Sequence, residues 1–157
     1  MPQIAIEYVI LVPMLILQIF LFPLAASVIM NQWTTQSRTL ALQDAAKDVG
    51  NSIQQLYFTL NQTALTTGSA STALNIPTFI NNYPYSGNAT LASSGSNPNK
   101  VLTVTLKLTT IGLTTTTLVP LGQNVVWKNS SFMSNSTNSA INATKTSDGI
   151  VTLSFMG

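Results

Sequence analysis

The sequence predicts an α+β fold in which one long N-terminal α-helix is followed by a C-terminal antiparallel β-sandwich head of immunoglobulin-like type. Two observations predict this fold class. Residues 8–30 carry no charge and are apolar almost throughout, whereas the second half of the chain is rich in Thr, Ser and Asn and contains alternating apolar positions. The expected parts are a helix over residues 1–60, a linker over 61–75 and a β-rich surface head over 76–157.

The apolar segment, residues 8–30, is the first part of the helix. Seventeen of its 23 residues are bulky and apolar, and they occupy every face of a helix instead of one stripe. A run of about 20 apolar residues matches the ~30 Å hydrocarbon core of a bilayer. Three interpretations follow: a secretory signal peptide, a simple membrane anchor, or a segment that starts in the membrane and ends inside a protein assembly. A signal peptide needs a basic start, whereas residues 1–7 contain no basic side chain and one acid, Glu7.

Residues 31–60 continue the helix with an amphipathic pattern. Two rows of residues, each with a spacing of seven, form one apolar stripe on the helix. This predicted stripe consists of Leu42, Ala46, Val49, Ile53, Leu56 and Leu60. Because no proline occurs between Pro23 and Pro77, we expect one helix from about Ile4 to about Leu60. A globular head can sit on the striped half of that helix.

The head is predicted from alternating residues and turn signals. Residues 101–108 alternate apolar and polar side chains, which is the period of a half-buried strand. Further strands are expected at 114–120, 124–127 and 149–156. The small polar residues of 61–75 are expected to form a linker. Several short strands separated by Gly and Pro turns favour an antiparallel sandwich.

Composition weighs against an enzyme and against a nucleic-acid-binding protein. The chain has six Lys or Arg residues, four Asp or Glu residues, and no Cys or His. The lack of Cys excludes disulfides and thiolate metal sites, and the lack of His with so few carboxylates leaves little for general acid–base catalysis. We therefore expect no catalytic, cofactor-binding or metal-binding residue. The cations are scattered singly, so nucleic acid is not an expected partner.

Five Asn-X-Ser/Thr sequons lie in or beside the head, and none lies in the apolar segment. They begin at Asn61, Asn88, Asn129, Asn135 and Asn142. Each is a candidate N-glycan acceptor, which implies a surface position outside the cytoplasm. The alternative is that Asn and Thr only solvate a head that has few charges. We expect N-linked glycans on an external head.

The layout resembles that of type IV pilin-like subunits. Residues 3–8, QIAIEY, are similar to the start of archaeal pilins that a class III signal peptidase processes. In that family a glutamine often opens the mature chain, and Glu and Tyr follow at the fifth and sixth places; counted from Gln3, these are Glu7 and Tyr8. The resemblance is close over about the first 30 residues and architectural over the remainder. The family's leader ends with a basic and a small residue, whereas Met1 and Pro2 precede Gln3 here.

The resemblance implies the structural subunit of an extracellular helical filament that serves surface adhesion and is inserted in the cytoplasmic membrane before assembly. It implies self-association through the N-terminal helices, with a prepilin peptidase and a pilus assembly platform as further partners. Glu7 would then meet the free amino terminus of a neighbouring subunit and fix the axial register, because an unpaired buried charge costs several kcal/mol. The alternative is an interfacial carboxylate with no partner.

Two other functions remain open alongside the adhesive filament. The same architecture serves a motility filament, the archaellum, and the sequence does not separate these two uses. A monomeric, membrane-anchored surface glycoprotein would also have an apolar helix and a polar, glycosylated head.

Overall fold

The computed structural model describes the backbone of residues 3–93 and 99–157 and the side chains of residues 8–92 and 99–157. Within these ranges the chain forms one helix, α1 (Gln3–Leu60), and eight strands. The strands are β1 (Gly68–Ala73), β2 (Tyr85–Ser93), β3 (Lys100–Leu108), β4 (Thr114–Leu121), β5 (Val125–Trp127), β6 (Ser131–Met133), β7 (Ala140–Lys145) and β8 (Val151–Met156). The predicted α+β class, a long helix followed by antiparallel-rich sheets, is confirmed.

The chain divides into two compact units, residues 1–37 and residues 38–157. The first unit contains the apolar segment and the polar residues that follow it to Ser37. The second contains the end of α1 and the eight described strands. The division expected at residue 60 therefore falls inside the second unit, because the helix after Arg38 shares a hydrophobic core with the strands.

The described strands form two four-stranded sheets. The first sheet has the order β1-β7-β8-β5, and the second has the order β4-β3-β2-β6. Paired strands are antiparallel except for β5 and β8, which are parallel. In the second sheet β2, β3 and β4 follow one another, and β6 returns to lie beside β2. This order is that of a Greek key, the common motif of β-sandwiches.

Alternation along the strands separates a core face from a solvent face. The residues of β3 and β8 that the sequence places on one face are buried: Leu102, Val104, Leu106, Leu108, Val151, Leu153 and Phe155. On the opposite face of β3 and β4, half of the eight positions are threonines: Thr103, Thr105, Thr114 and Thr116. Threonine suits such positions because its branched side chain favours the extended backbone while its hydroxyl meets water.

Aromatic packing joins the two sheets. The ring of Phe155 on β8 meets the ring of Phe132 on β6 edge-on, with 4.8 Å between the centroids. The same ring meets Trp127 on β5 edge-on at 4.9 Å. Because β6 belongs to the second sheet and β5 and β8 belong to the first, these three rings close the core between the sheets.

The helix after Arg38 packs on the inner face of the second sheet. A Cβ atom placed on Gly50 would lie 3.1 Å from a methyl carbon of Val119 and 3.3 Å from that of Thr117. Both side chains belong to β4. Gly50 therefore lowers the helix propensity at this position but allows the helix backbone to approach the strand closely.

The segment expected to be a linker contains a strand, which corrects the prediction. Gly68–Ala73, inside residues 61–75, pairs along its whole length with β7, from Gly68 opposite Lys145 to Ala73 opposite Ala140. Its small residues gave no apolar alternation, because four of its six positions are exposed. Backbone pairing at a sheet edge, and not side-chain burial, makes this segment a strand.

Candidate assembly surface

The apolar segment is exposed on every face. Each of residues 8–30 is exposed, including positions on different sides of the helix such as Ile16 at 51% and Phe22 at 72%. No side chain described in the structure covers this segment. It is long and apolar enough to cross a membrane, which is compatible with membrane insertion or with a signal sequence. Because apolar surface of this extent is unfavourable in water, the segment needs a lipid or protein environment.

The hydroxyl groups of Ser27 and, just beyond the segment, Thr34 donate hydrogen bonds to the helix itself. The hydroxyl of Ser27 donates to the carbonyl oxygen of Leu24 at 2.8 Å. The hydroxyl of Thr34 donates to the carbonyl oxygen of Met30 at 2.8 Å. Such internal bonding lowers the cost of moving a hydroxyl into an apolar environment. The segment can therefore enter lipid or a packed helical core without leaving these donors unpaired.

The proposed register residue, Glu7, lies in helical backbone, and its side chain lies outside the described residues. Its expected partner, an amino terminus, would belong to another copy of the chain. The role of Glu7 therefore stays a prediction.

The predicted stripe faces the head of its own chain. Leu42, Ala46, Val49, Ile53, Leu56 and Leu60 are all buried, with exposures between 0% and 4%. Ala45 and Tyr57, which the spacing of seven does not identify, are buried beside them. The spacing of seven identifies only part of the buried helix face. Positions that neighbour the stripe on the helix surface, such as Ala45 and Tyr57, complete that face.

Hydrogen bonds anchor the end of the helix to the loop before β5. The hydroxyl of Tyr57 donates to Oδ1 of Asn124 at 2.8 Å, and Nδ2 of Asn124 donates to Oδ1 of Asn61 at 2.7 Å. The same amide nitrogen lies 2.7 Å from the carbonyl oxygen of Gly149. Gly122 allows this arrangement, because a Cβ there would overlap the Tyr57 hydroxyl. No sequence pattern identified these contacts, since Tyr57 and Asn124 are 67 residues apart.

Two further side-chain contacts stabilise the second unit, one at its first residue, Arg38, and one at the start of β2. The guanidinium of Arg38 lies over the ring of Tyr83, 5.0 Å from its centroid, in a cation–π contact. The hydroxyl of Tyr85, at the start of β2, donates to the carbonyl oxygen of Pro77 at 2.7 Å. Burial, with a smaller contribution from the charge of Asp48, raises the pKa of Tyr85 well above its usual range.

The five sequons occupy different settings. Asn88, Asn129 and Asn135 are exposed, whereas Asn61 and Asn142 are only partly exposed. Asn88 lies within β2 and Asn142 within β7, while Asn129 and Asn135 lie in the connections on either side of β6. Asn61 directly follows the last residue of α1.

No group of three or more metal-ligating residues occurs among the described residues. The ion pair between Lys47 and Asp44, 3.4 Å apart, is exposed on the helix surface. Most of the large apolar side chains that are exposed among the described residues lie in the apolar segment, residues 8–30.

Comparison with known families, curated proteins and solved structures finds no match to this chain in any of the three.

Proposed function

We propose that this chain is the structural subunit of an extracellular helical filament that serves surface adhesion and is assembled by packing of the N-terminal helices. The observation that carries the proposal is the exposure of residues 8–30 on every face, in a helix that the head buries on one face between residues 42 and 60. Burying the seventeen bulky side chains is worth on the order of 25 kcal/mol, at about 1.5 kcal/mol each. A segment of this kind does not persist in water.

Two environments bury such a segment in turn. As a helix, its 23 residues span roughly 35 Å, enough to cross the ~30 Å hydrocarbon core of a membrane before assembly. In a filament, the same side chains lie against those of neighbouring copies. Because lipid already buries them, close packing and polar contacts, not hydrophobic transfer, favour the assembled state.

The resulting polymer is open-ended. Contact between the helix of one copy and different surfaces of the next is heterologous, and it repeats into an open helical polymer when the rotation between neighbouring copies does not close a ring. The heads, which have few charges and carry N-linked glycans in this proposal, form the outer surface. Their outward sheet face offers mainly hydroxyl groups, with one charge at Lys107, to the surface that the filament contacts.

Glu7 provides the register in this proposal. Among apolar helices, axial sliding costs little, whereas a carboxylate that must find a cationic partner penalises wrong positions by several kcal/mol. The partner proposed for Glu7 is the amino terminus of a neighbouring copy.

The substitution Glu7→Ala tests this role. We expect it to reduce the yield of filaments severalfold while the amount of chain in the membrane stays unchanged, because the apolar segment is intact. Asp44→Ala is the matched control, since it removes an exposed carboxylate whose ion pair contributes little. The measurement is negative-stain microscopy of sheared, detergent-free surface material, with peptide identification of the chain.

Each outcome has a separate meaning in that experiment. Undiminished filaments from Glu7→Ala contradict the register role but leave the filament intact. Absence of the wild-type chain from every polymeric fraction contradicts the filament itself. A membrane-anchored surface protein is then the better account, since the helix is long and apolar enough to serve as a single anchor.

A further inference from the structure

We propose that Asn129 and Asn135 are the N-glycan acceptors of this chain and that Asn61, Asn88 and Asn142 stay bare. This inference rests on the extracellular head of the proposed function and names which sequons it modifies. The five sequons are alike in sequence, so the discrimination comes from their places in the fold.

The modification needs a separate oligosaccharyltransferase and a lipid-linked glycosyl phosphate. Nδ2 of the asparagine forms a bond to the anomeric carbon of the sugar. The bond from that carbon to the phosphate oxygen breaks, and the lipid phosphate leaves with the electron pair. The amide nitrogen loses one proton to a base. An acceptor sequon must therefore enter the enzyme's site as an extended, accessible segment with its carboxamide free of other contacts.

Asn61 does not meet that requirement. Its Oδ1 accepts a hydrogen bond from Nδ2 of Asn124 at 2.7 Å, and its side chain is partly buried. Its backbone N–H donates to the carbonyl oxygen of Tyr57 at 2.8 Å, so the residue still belongs to the last helical turn. Reaching an enzyme would break the contacts that fasten the helix end to the head.

Asn88 and Asn142 are held in strands that have a partner on both sides. Asn88 faces Thr105 of β3 and Ser131 of β6, and Asn142 faces Ser71 of β1 and Ser154 of β8. Their side chains reach the surface, but their backbones cannot leave the sheet without breaking two ladders. In the folded chain these two sequons are therefore unavailable.

Asn129 and Asn135 lie outside the strands, just before and just after β6. Both are exposed, as are Ser131 and Thr137, the hydroxyl residues that complete their sequons. Ser131 is the first residue of β6, an edge strand that is paired on one side only, whereas β2 and β7 are paired on both sides. Within the described side chains, neither asparagine side chain makes a hydrogen bond. These two positions combine an accessible amide with a connecting segment at the edge of the second sheet.

A buried serine after β6 and a partly buried serine before it hold these connections in place. The hydroxyl of Ser134 donates to the carbonyl oxygen of Thr78 at 2.7 Å and accepts from the backbone N–H of Tyr85 at 3.0 Å. The hydroxyl of Ser130 accepts from the backbone N–H of Phe155 at 2.8 Å. The residues next to each acceptor are fixed while the acceptor itself points outward. Sugars at both ends of β6 would shield this short edge strand, a kind of edge that otherwise invites pairing with other chains.

The test compares the folded chain with its own peptides. Full-length chain in micelles and five synthetic peptides, one around each sequon, are incubated with an oligosaccharyltransferase and a lipid-linked glycan, and the products are mapped by mass spectrometry. We expect sugar on all five peptides but only on Asn129 and Asn135 of the folded chain. Chain purified from its native cell surface is mapped in the same way, with the same two positions expected.

Single variants complete the design. Asn129→Gln and Asn135→Gln should each remove one glycan mass, and the double variant should be bare, whereas Asn61→Gln, Asn88→Gln and Asn142→Gln should leave the mass of glycan unchanged. Sugar on any of these last three positions in folded or native chain overturns the proposal, as does native chain bare at all five. Filaments seen by microscopy in the bare case would show that the assembly proposal survives the failure of this one.

Discussion

The two halves of α1 share one backbone geometry and differ in what surrounds them. Residues 8–30 are apolar on all faces and exposed on all faces. Between residues 42 and 60, apolar side chains on one face are buried by the head, while residues such as Asn51 and Gln55 on the other face meet water. The angular spread of apolar residues around a helix therefore indicates how many neighbours the helix packs against. One stripe needs one partner, which the chain supplies itself, and a fully apolar surface needs surroundings that the chain does not supply.

The largest expected change in the free energy of unfolding comes from truncating a buried side chain between residues 42 and 60 of α1. Ile53→Ala should lower the free energy of unfolding of the head by about 2–5 kcal/mol, because Ile53 is fully buried and its removal leaves a cavity. Leu17→Ala, a similar truncation in the apolar segment, should change it by less than about 0.5 kcal/mol, since Leu17 is 59% exposed.

The measurement is denaturant unfolding of full-length chain in micelles, followed by tryptophan fluorescence. Gln55→Ala, which truncates an exposed side chain on the same turn as Ile53, controls for helix propensity. Equal losses of unfolding free energy from Ile53→Ala and Leu17→Ala would contradict the proposed difference between the two halves of α1.

The next largest effect is expected from overpacking the core of the head, which covers the stripe. A Cβ on Gly87 would overlap the ring of Phe132 and lie 2.7 Å from Cδ2 of Leu106. Gly87→Ala should therefore cost about 1–3 kcal/mol through overpacking. Gly68→Ala is the matched control in another strand, because its Cβ would lie 3.6 Å from Leu60, an ordinary contact. We expect Gly68→Ala to leave the free energy of unfolding unchanged or to raise it by up to about 1 kcal/mol. Thermal unfolding of both variants measures the two changes.

The smallest effect is a loss of stability in alkaline solution. Burial raises the pKa of Tyr85 in the folded state, so the folded chain keeps the phenol neutral where the unfolded chain ionises it. The contribution of Tyr85 to the free energy of unfolding is fully present below about pH 10, the ordinary pKa of tyrosine. This contribution is lost as the pH rises beyond that value. Tyr85→Phe should cost about 1 kcal/mol at neutral pH, through loss of the bond to Pro77, and should flatten the decline above pH 10.

Unfolding curves between pH 7 and 11 measure this effect, with Tyr83→Phe as the control for removing a less buried tyrosine. A decline of equal slope in Tyr85→Phe and in the wild type would show that other groups govern the alkaline loss.

Sequence patterns predicted the parts of the fold in which burial follows a regular period. The strands expected at 101–108 and 149–156 are observed as Lys100–Leu108 and Val151–Met156, because alternating side chains face one core. Those expected at 114–120 and 124–127 are observed as Thr114–Leu121 and Val125–Trp127. The helix ends at Leu60, as expected from its stripe.

Other elements left no such pattern. β1 is stabilised by backbone pairing, so its residues resemble a loop, and β6 has only three residues, too few to show a period. Tyr57 and Asn124 meet only after folding brings distant parts of the chain together. The sequence located five sequons but did not separate them, because strand pairing and the hydrogen bond of Asn61 are tertiary properties. The expected partner of Glu7 lies in another copy of the chain, beyond what one chain displays.

The most direct test of the central claim asks what covers residues 8–30 once the chain has left the membrane. The chain has no cysteine, so Leu17→Cys introduces its only thiol, and Ser147→Cys provides an exposed thiol in the turn between β7 and β8 as the control. Both variants are recovered as sheared surface material free of lipid and detergent and treated with a water-soluble thiol reagent. The proposed filament predicts a polymer in which the thiol of Leu17→Cys is protected from the reagent and reacts only after the polymer is dissociated. The thiol of Ser147→Cys should react at once. Recovery of the chain solely with lipid, or a freely reactive thiol at position 17 in the lipid-free material, would contradict the proposed filament.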